Sequence, residues 1–162
     1  MAGYTGAMKR SVTRVITCML LIGGVHAVAA QTGKPAVSGI VASDSTPLNW
    51  EAWVSRHGPV ALVVWASWLP SAKATLAALG PLRAACRKRG LFLAVADVSE
   101  TLEQASVALA GVKVAWVHDR HESILKHYRL VRIPRLLILD RKNRVVARLD
   151  VSAAALEAWE KR

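Results

Sequence analysis

The sequence predicts an α/β fold with a central mixed β-sheet flanked by helices, and three observations support this. The continuous apolar run Val60–Trp65 and the mostly apolar residues 91–98 have the composition of strands buried on both faces of a sheet. Segments with apolar residues at helical spacing alternate with these strands, a pattern typical of parallel crossovers. Near the C-terminal end, residues 140–143 read D-R-K-N between two strand-like runs, which predicts a closing antiparallel hairpin.

The first helices of the domain have recognisable start and stop residues. Asn49 is a predicted N-cap, and Gly58 and Pro59 end the helix that follows it. After the strand Val60–Trp65 and a short loop, a long helix is predicted to end at Gly90, which suits the left-handed position after a helix.

The remaining elements follow in order along the chain. They are the strand at 91–98, a helix over 100–110, a strand over 112–117, a helix over 119–128, strands at 135–139 and 144–149, and a last helix capped by Ser152. From residue 60 onward the predicted order is therefore β-α-β-α-β-α-β-β-α.

Residues 1–30 have the features of a secretory signal peptide. Basic residues precede the apolar run at 15–25, and small residues at 27–30 supply a cleavage site. The run is shorter than the roughly 20 residues that a membrane-spanning helix needs, although an uncleaved anchor is the alternative. Met8 is an alternative true start of the chain. The leader predicts export to the periplasm.

The predicted domain covers residues 48–162, after a linker at 31–47 that carries one short strand at 37–41. Of the 22 Lys and Arg residues of the chain, three lie in the leader, which leaves 19 against 11 acidic residues and a charge of about +8. This charge favours acidic partners, and a peripheral contact with an anionic membrane surface is an alternative. Nucleic acid is not expected as a ligand, because the chain combines a leader with no nucleic-acid-binding motif.

Residues 65–73 read W-A-S-W-L-P-S-A-K. This segment resembles W-A-S-W-C-P-P-C-R, the active-site segment of the thioredoxin-like thiol–disulfide oxidoreductases of the TlpA/ResA type. Leu69 and Ala72 stand at the two cysteine positions. Dithiol chemistry needs two sulfurs one helical turn apart, with the first stabilised as a thiolate at a helix N-terminus. The sequence therefore excludes dithiol catalysis, and no catalytic residue is assigned.

A second segment carries the same resemblance. Residues 128–140 read Y-R-L-V-R-I-P-R-L-L-I-L-D, which is similar to the family pattern Y-G-V-x-G-x-P-T-x-F-L-I-D. The resemblance extends from about Asn49 to the C-terminus and implies a thioredoxin-like fold. It also implies that Pro134 is a cis-proline facing the active-site loop. Arg132 and Arg135 stand where the family commonly has Gly and Thr.

These departures predict a partner-binding surface at the emptied active site, with no cofactor. Arginine forks pair with carboxylates, and exposed apolar side chains beside charges are typical of binding hot spots. The candidate residues are Trp68, Leu69, Pro70, Lys73, Arg132, Pro134 and Arg135. The expected partner is an envelope protein that offers an acidic segment. In the alternative interpretation, Arg132 and Arg135 point to different sides and are simply solvated.

Removal of the leader leaves Cys86 as the single cysteine, so the mature chain has no internal disulfide. Leu79 and Leu82 precede it at helical spacing, which predicts that Cys86 is buried in an apolar stripe. The alternative function is enzymatic, with Cys86 as the thiol of a one-cysteine reductase or peroxidase, or as part of a thiol–disulfide pathway. A third alternative is a structural subunit whose basic face meets membrane lipid.

The histidines of the mature chain are predicted to lie at the surface. His118 and His121 are weakly suggestive of a metal site, but a real site needs three or four converging ligands. No metal is therefore expected. Ser67 and Ser71 near Lys73 have no activating base in the sequence pattern, so hydrolysis is not expected.

Overall fold

Six strands form one mixed sheet in a computed structural model that describes residues 36–98 and 101–160. In chain order the strands are β1 Ile40–Ala42, β2 Val60–Trp65, β3 Phe92–Val98, β4 Ala115–Asp119, β5 Arg135–Leu139 and β6 Val145–Leu149. Their spatial order is β1-β4-β3-β2-β5-β6. Strands β2, β3 and β4 are parallel, whereas β1, β5 and β6 pair antiparallel to their neighbours. The predicted α/β class with a mixed sheet is confirmed.

Five helices connect or flank the strands. They are α1 Trp50–His57, α2 Ala72–Lys88, α3 Leu102–Ala108, α4 Ser123–Tyr128 and α5 Ala153–Ala158. The predicted caps are confirmed, because the Asn49 and Ser152 side chains accept hydrogen bonds from the first turns of α1 and α5. Gly90 follows α2 with φ of 65°, the left-handed conformation that ends helices.

The sheet has an apolar layer on each face. All six residues of β2 are buried, which confirms the prediction of a strand covered on both faces. On one face α1 contributes Trp50 and Val54, and on the other α2 contributes Leu79 and Leu82. Because side chains alternate along a strand, each strand serves both layers.

Tyr128 joins three distant parts of the chain on the first of these faces. The Trp50 indole N–H donates to the Tyr128 hydroxyl over 2.8 Å, and that hydroxyl donates to the side-chain oxygen of Asn143 in the hairpin turn. Burial raises the pKa of Tyr128 well above its ordinary value. The helix α4 therefore ends at a buried polar anchor.

The boundary between β4 and α4 differs from the sequence prediction. Strand β4 extends through Asp119 instead of ending at residue 117, and α4 begins at Ser123. Asp119 is buried at the strand end, and its carboxylate accepts the backbone N–H groups of Ser123 and Ile124 at 3.0 and 2.7 Å. Asp119 therefore caps α4 from the end of the preceding strand, whereas the sequence predicts it as the first residue of the helix.

The predicted leader and residues 31–35 of the predicted linker lie outside the described residues, so the signal peptide and the domain boundary stay predictions. The short strand expected at 37–41 is β1, shifted to Ile40–Ala42. None of the helices within residues 36–98 and 101–160 is long and apolar enough to span a bilayer.

Candidate functional site

The loop between β2 and α2 has apolar side chains at the two positions where the resembled family has cysteines. Trp65 is buried in β2, while Trp68 is 62% exposed. Leu69 is half-buried and packs against the hydrophobic layers of both sheet faces. Ala72 is buried as the first residue of α2. Apolar side chains therefore occupy positions 69 and 72, where the resembled family has its reactive cysteines.

A cavity of about 530 Å³ opens beside this loop. It is lined by residues from α2 and from the segments around β5 and α5, namely Ala74, Thr75, Arg132, Ile133, Pro134, Arg135, Asp150 and Val151. The Ile133–Pro134 peptide bond is cis. Three of the predicted site residues thus line one cavity, whereas Trp68, Leu69, Pro70 and Lys73 are not part of its lining.

The two loops that frame the site leave the same end of the sheet. Strands β2 and β5 are antiparallel with Val64 opposite Arg135, so the end of β2 lies beside the start of β5. Val131, on the loop before β5, is 98% exposed. Sequence reasoning missed Val131, although an apolar residue in a loop beside the predicted cis-proline was a usable signal.

The three predicted cations are not equivalent. The Arg135 guanidinium lies 2.6 Å from the Asp150 carboxylate, and its side chain is only 18% exposed. Arg132 and Lys73 are exposed and have no ion-pair partner among residues 36–98 and 101–160. Two positive charges, rather than three, are therefore available to an anionic partner.

A row of large and polar side chains lies beneath the loop. Trp65, Asp97 and His118 are register partners on β2, β3 and β4. Asp97 and His118 are 0% and 2% exposed, and His118 Nδ1 is 2.8 Å from Asp97 Oδ2. Within the described part of the chain, the Trp65 indole nitrogen has no hydrogen-bond partner.

The prediction of surface histidines is wrong for His118 and His127, which are both buried. The reason for His118 is the extension of β4, which brings it into the sheet interior, where the Asp97 carboxylate compensates for its burial. Asp97 was a signal for this pair, since it is the single charged residue in the apolar run at 91–98. No group of three or more metal-ligating side chains converges within the described residues.

Cys86 lies towards the opposite end of α2 and is 1% exposed, which confirms its predicted burial. Burial raises the pKa of the Cys86 thiol to about 11. Neighbouring cations on α2 therefore do not produce a thiolate, and the thiol lacks the lowered pKa and the exposure that reactive cysteines have.

Solved structures of the same fold include thiol–disulfide oxidoreductases. StoA from Bacillus subtilis is 20% identical, with 77% of this chain and 98% of that chain covered at a TM-score of 0.58. MTB DsbF is 12% identical, with 78% and 98% covered at 0.59. A thiol-disulfide oxidoreductase from Bacteroides fragilis NCTC 9343 is 22% identical, with 71% and 89% covered at 0.57.

The chain has the thioredoxin-like fold, as the sequence resemblance implied. Its structural neighbours include thiol:disulfide interchange proteins and a thiol-disulfide oxidoreductase, the class named from the sequence motifs. No protein-family profile matches the chain, and no curated protein matches it.

Proposed function

We propose that this protein is an exported thioredoxin-fold binding or assembly factor without dithiol catalysis. In this proposal it holds an acidic segment of an envelope protein at the former active-site face. The observation that carries the proposal is the cavity at Pro134, which is open and bordered by Arg132 while both sulfur positions are filled by Leu69 and Ala72.

The chemistry of this face suits an acidic and partly apolar polypeptide. Arg132 presents a planar fork that forms paired hydrogen bonds with a carboxylate. Trp68 and Val131 are exposed on the two loops that leave this end of the sheet, and they offer apolar contact area. An acidic side chain at Arg132, with an apolar neighbour on Trp68 or Val131, is the combination that these groups select.

The alternative function at Cys86 has weaker support. A one-cysteine reductase or peroxidase needs an accessible thiolate, whereas Cys86 is buried with a raised pKa. Export to the envelope rests on the leader predicted from the sequence.

The test is capture of partners from a periplasmic extract by the mature protein, followed by measurement of the dissociation constant for each purified partner. Lys73→Glu/Arg132→Glu is the site variant. Arg83→Glu/Arg87→Glu, on the exposed surface of α2, makes the same change in net charge away from the cavity. We expect binding at least about tenfold weaker for the site variant and unchanged for the control.

A partner held equally by both variants would contradict the proposal, because the interface would then lie elsewhere. Trp68→Ala gives a second readout. Because Trp68 is 62% exposed, its loss is expected to weaken binding with little change in the free energy of unfolding.

A further inference from the structure

We propose a second binding site at the opposite end of the sheet, for an amphiphilic anion that has one aliphatic chain and a carboxylate or phosphate head. The site is a cavity of about 850 Å³ beneath the β5–β6 hairpin. Strands β2 and β5 place it far from Pro134, since Val60 pairs with Leu139 at this end and Val64 pairs with Arg135 at the other.

The floor of the cavity is apolar. It is formed by Leu91, by Ile138 of β5, by Ala147 and Leu149 of the edge strand β6, and by Trp159 after α5. Ala147, Leu149 and Trp159 are only half-buried, because the cavity leaves one side of each uncovered. An aliphatic chain laid on this floor would remove that apolar surface from water, which is the main source of its affinity.

Trp159 is held in its place in the cavity floor by Arg89, the C-cap residue of α2. The Arg89 guanidinium donates hydrogen bonds of 2.7 Å to the backbone oxygens of Trp159 and Glu157. Its carbon also lies 5.6 Å from the centroid of the Trp159 ring. Because Trp159 is already held in place in the free protein, the ligand does not have to order it, and the entropic cost of binding is lower.

Cations are concentrated at the hairpin turn. The Asp140 carboxylate accepts the backbone N–H groups of Lys142 and Arg144, both at 2.9 Å, and pairs with the Arg144 guanidinium at 2.6 Å. These bonds fix the turn and neutralise one charge pair. Arg141 and Lys142 are among the residues that line the cavity, and neither has an ion-pair partner among the described residues. They are the groups that would bind the anionic head.

Three observations favour a small amphiphile over a peptide strand or a second copy of this chain. The volume of about 850 Å³ falls within the range of small-molecule sites. The register of β6 shifts at Ile138 and Leu139, and a bulge with flanking arginines protects an edge strand from further pairing. Arg144 and Arg148 are exposed along this edge, and charged side chains on an edge strand disfavour pairing with a second copy.

The test is a calorimetric titration of the whole mature protein with decanoate and with decyl phosphate, below the concentrations at which they form micelles. Decanol and acetate serve as the chain-only and head-only controls. We expect 1:1 binding of at least one of the two anions, with decanol and acetate at least about tenfold weaker. The two anions together distinguish a carboxylate head from a phosphate head.

Two variants locate the site. Arg141→Glu/Lys142→Glu is expected to weaken anion binding about tenfold or more, and Arg83→Glu/Arg87→Glu to leave it unchanged. Ala158→Tyr places a ring into the cavity from an exposed helix position and is expected to block both anions. Circular dichroism establishes that each variant is folded.

Several results would overturn the proposal. One is that neither anion binds, or that decanol binds as tightly as the anions. Another is that the anions still bind to folded Ala158→Tyr. The last is that the protein binds phosphatidylglycerol vesicles without binding either anion 1:1. The last result would instead identify a contact with a lipid surface. Lys73→Glu/Arg132→Glu is expected to retain anion binding, so this site and the proposed partner site fail or succeed separately.

Discussion

The two ends of helix α2 differ in the side chains that they contain and in the charge that they stabilise. The N-terminal end follows a loop without sulfur, and exposed N–H groups at a helix start stabilise anions. The last turns of the helix hold Cys86 in an apolar layer, close to the carbonyl groups that disfavour a thiolate. Among the described residues, the sulfur of Cys86 and the helix end that would activate a thiol are therefore separated along α2.

The same contrast applies to the groups buried under each end. Asp97 and His118 are polar and lie under the N-terminal end, where each compensates for the burial of the other. Cys86 needs no such compensation, because a neutral thiol behaves as a small apolar group. The N-terminal end of α2 therefore covers a hydrogen-bonded polar pair, whereas its C-terminal end packs in an apolar layer.

The largest effect is expected from breaking the polar pair. Asp97→Ala would leave His118 buried without its carboxylate, which is expected to lower the free energy of unfolding by about 3 kcal/mol or more. Urea denaturation followed by tryptophan fluorescence measures this change.

Asp97→Asn is the matched control, because it keeps the size and one hydrogen-bonding oxygen. We expect a smaller loss of stability for Asp97→Asn than for Asp97→Ala. Equal and negligible losses in both variants would show that the pair does not contribute to stability, and the contrast between the two ends of α2 would then disappear.

The next effect concerns thiol reactivity. With a pKa of about 11 for Cys86, alkylation by iodoacetamide at pH 8 should be at least about a hundredfold slower than for an exposed cysteine. In the Leu69→Cys/Cys86→Ala variant the thiol introduced at position 69 stands at the other end of α2, and we expect it to react at least about a hundredfold faster than Cys86. Similar alkylation rates for the two thiols would show that the two ends of α2 do not differ in how they affect a thiol.

The raised pKa also predicts a pH dependence of stability with a definite sign. The thiol stays protonated in the folded protein up to about pH 11, whereas the unfolded chain releases its proton at lower pH. The contribution of Cys86 to the free energy of unfolding is therefore complete below about pH 8.5 and is lost as the pH rises towards 11. Because Tyr128 acts in the same direction, the Cys86→Ala variant isolates the part that Cys86 contributes. If the free energy of unfolding of the protein and of the Cys86→Ala variant falls with the same slope between about pH 8.5 and pH 11, this prediction is wrong.

The smallest effect is expected at the pair between Arg135 and Asp150. Asp150 is 84% exposed, so the ion pair is screened by water, and Asp150→Ala should change the free energy of unfolding by less than about 1 kcal/mol. The same substitution releases the charge of Arg135 into the cavity at Pro134, and we expect tighter binding of the acidic partner. Weaker binding would show that Asp150 itself contacts the partner.

Local signals in the sequence were sufficient for most of the fold. The burial of β2 followed from an uninterrupted apolar run, and the starts of α1 and α5 followed from Asn49 and Ser152. Arg132, Pro134 and Arg135 line one cavity because they are close neighbours in the chain at the start of β5. Each of these features depends on neighbouring residues or on short patterns, which a sequence displays directly.

The errors came from contacts between distant segments. The extension of β4 depended on pairing with β3, and the burial of His118 depended on Asp97, which lies 21 residues away. The partner of Arg135 is Asp150 on the far side of a hairpin. A sequence pattern gives the type of a side chain but not the charge that will lie opposite it.

The sequence by itself determined the α/β class, the positions of most elements and the absence of cysteine at positions 69 and 72, because apolar periodicity, caps and residue identity are local properties. Only the tertiary structure decided that Asp97 and His118 form a buried pair, that Arg135 is neutralised while Arg132 is available, and that the hairpin and Trp159 enclose a cavity. These features arise when the sheet brings separate strands into register, since burial and charge pairing depend on what lies next to a residue in space.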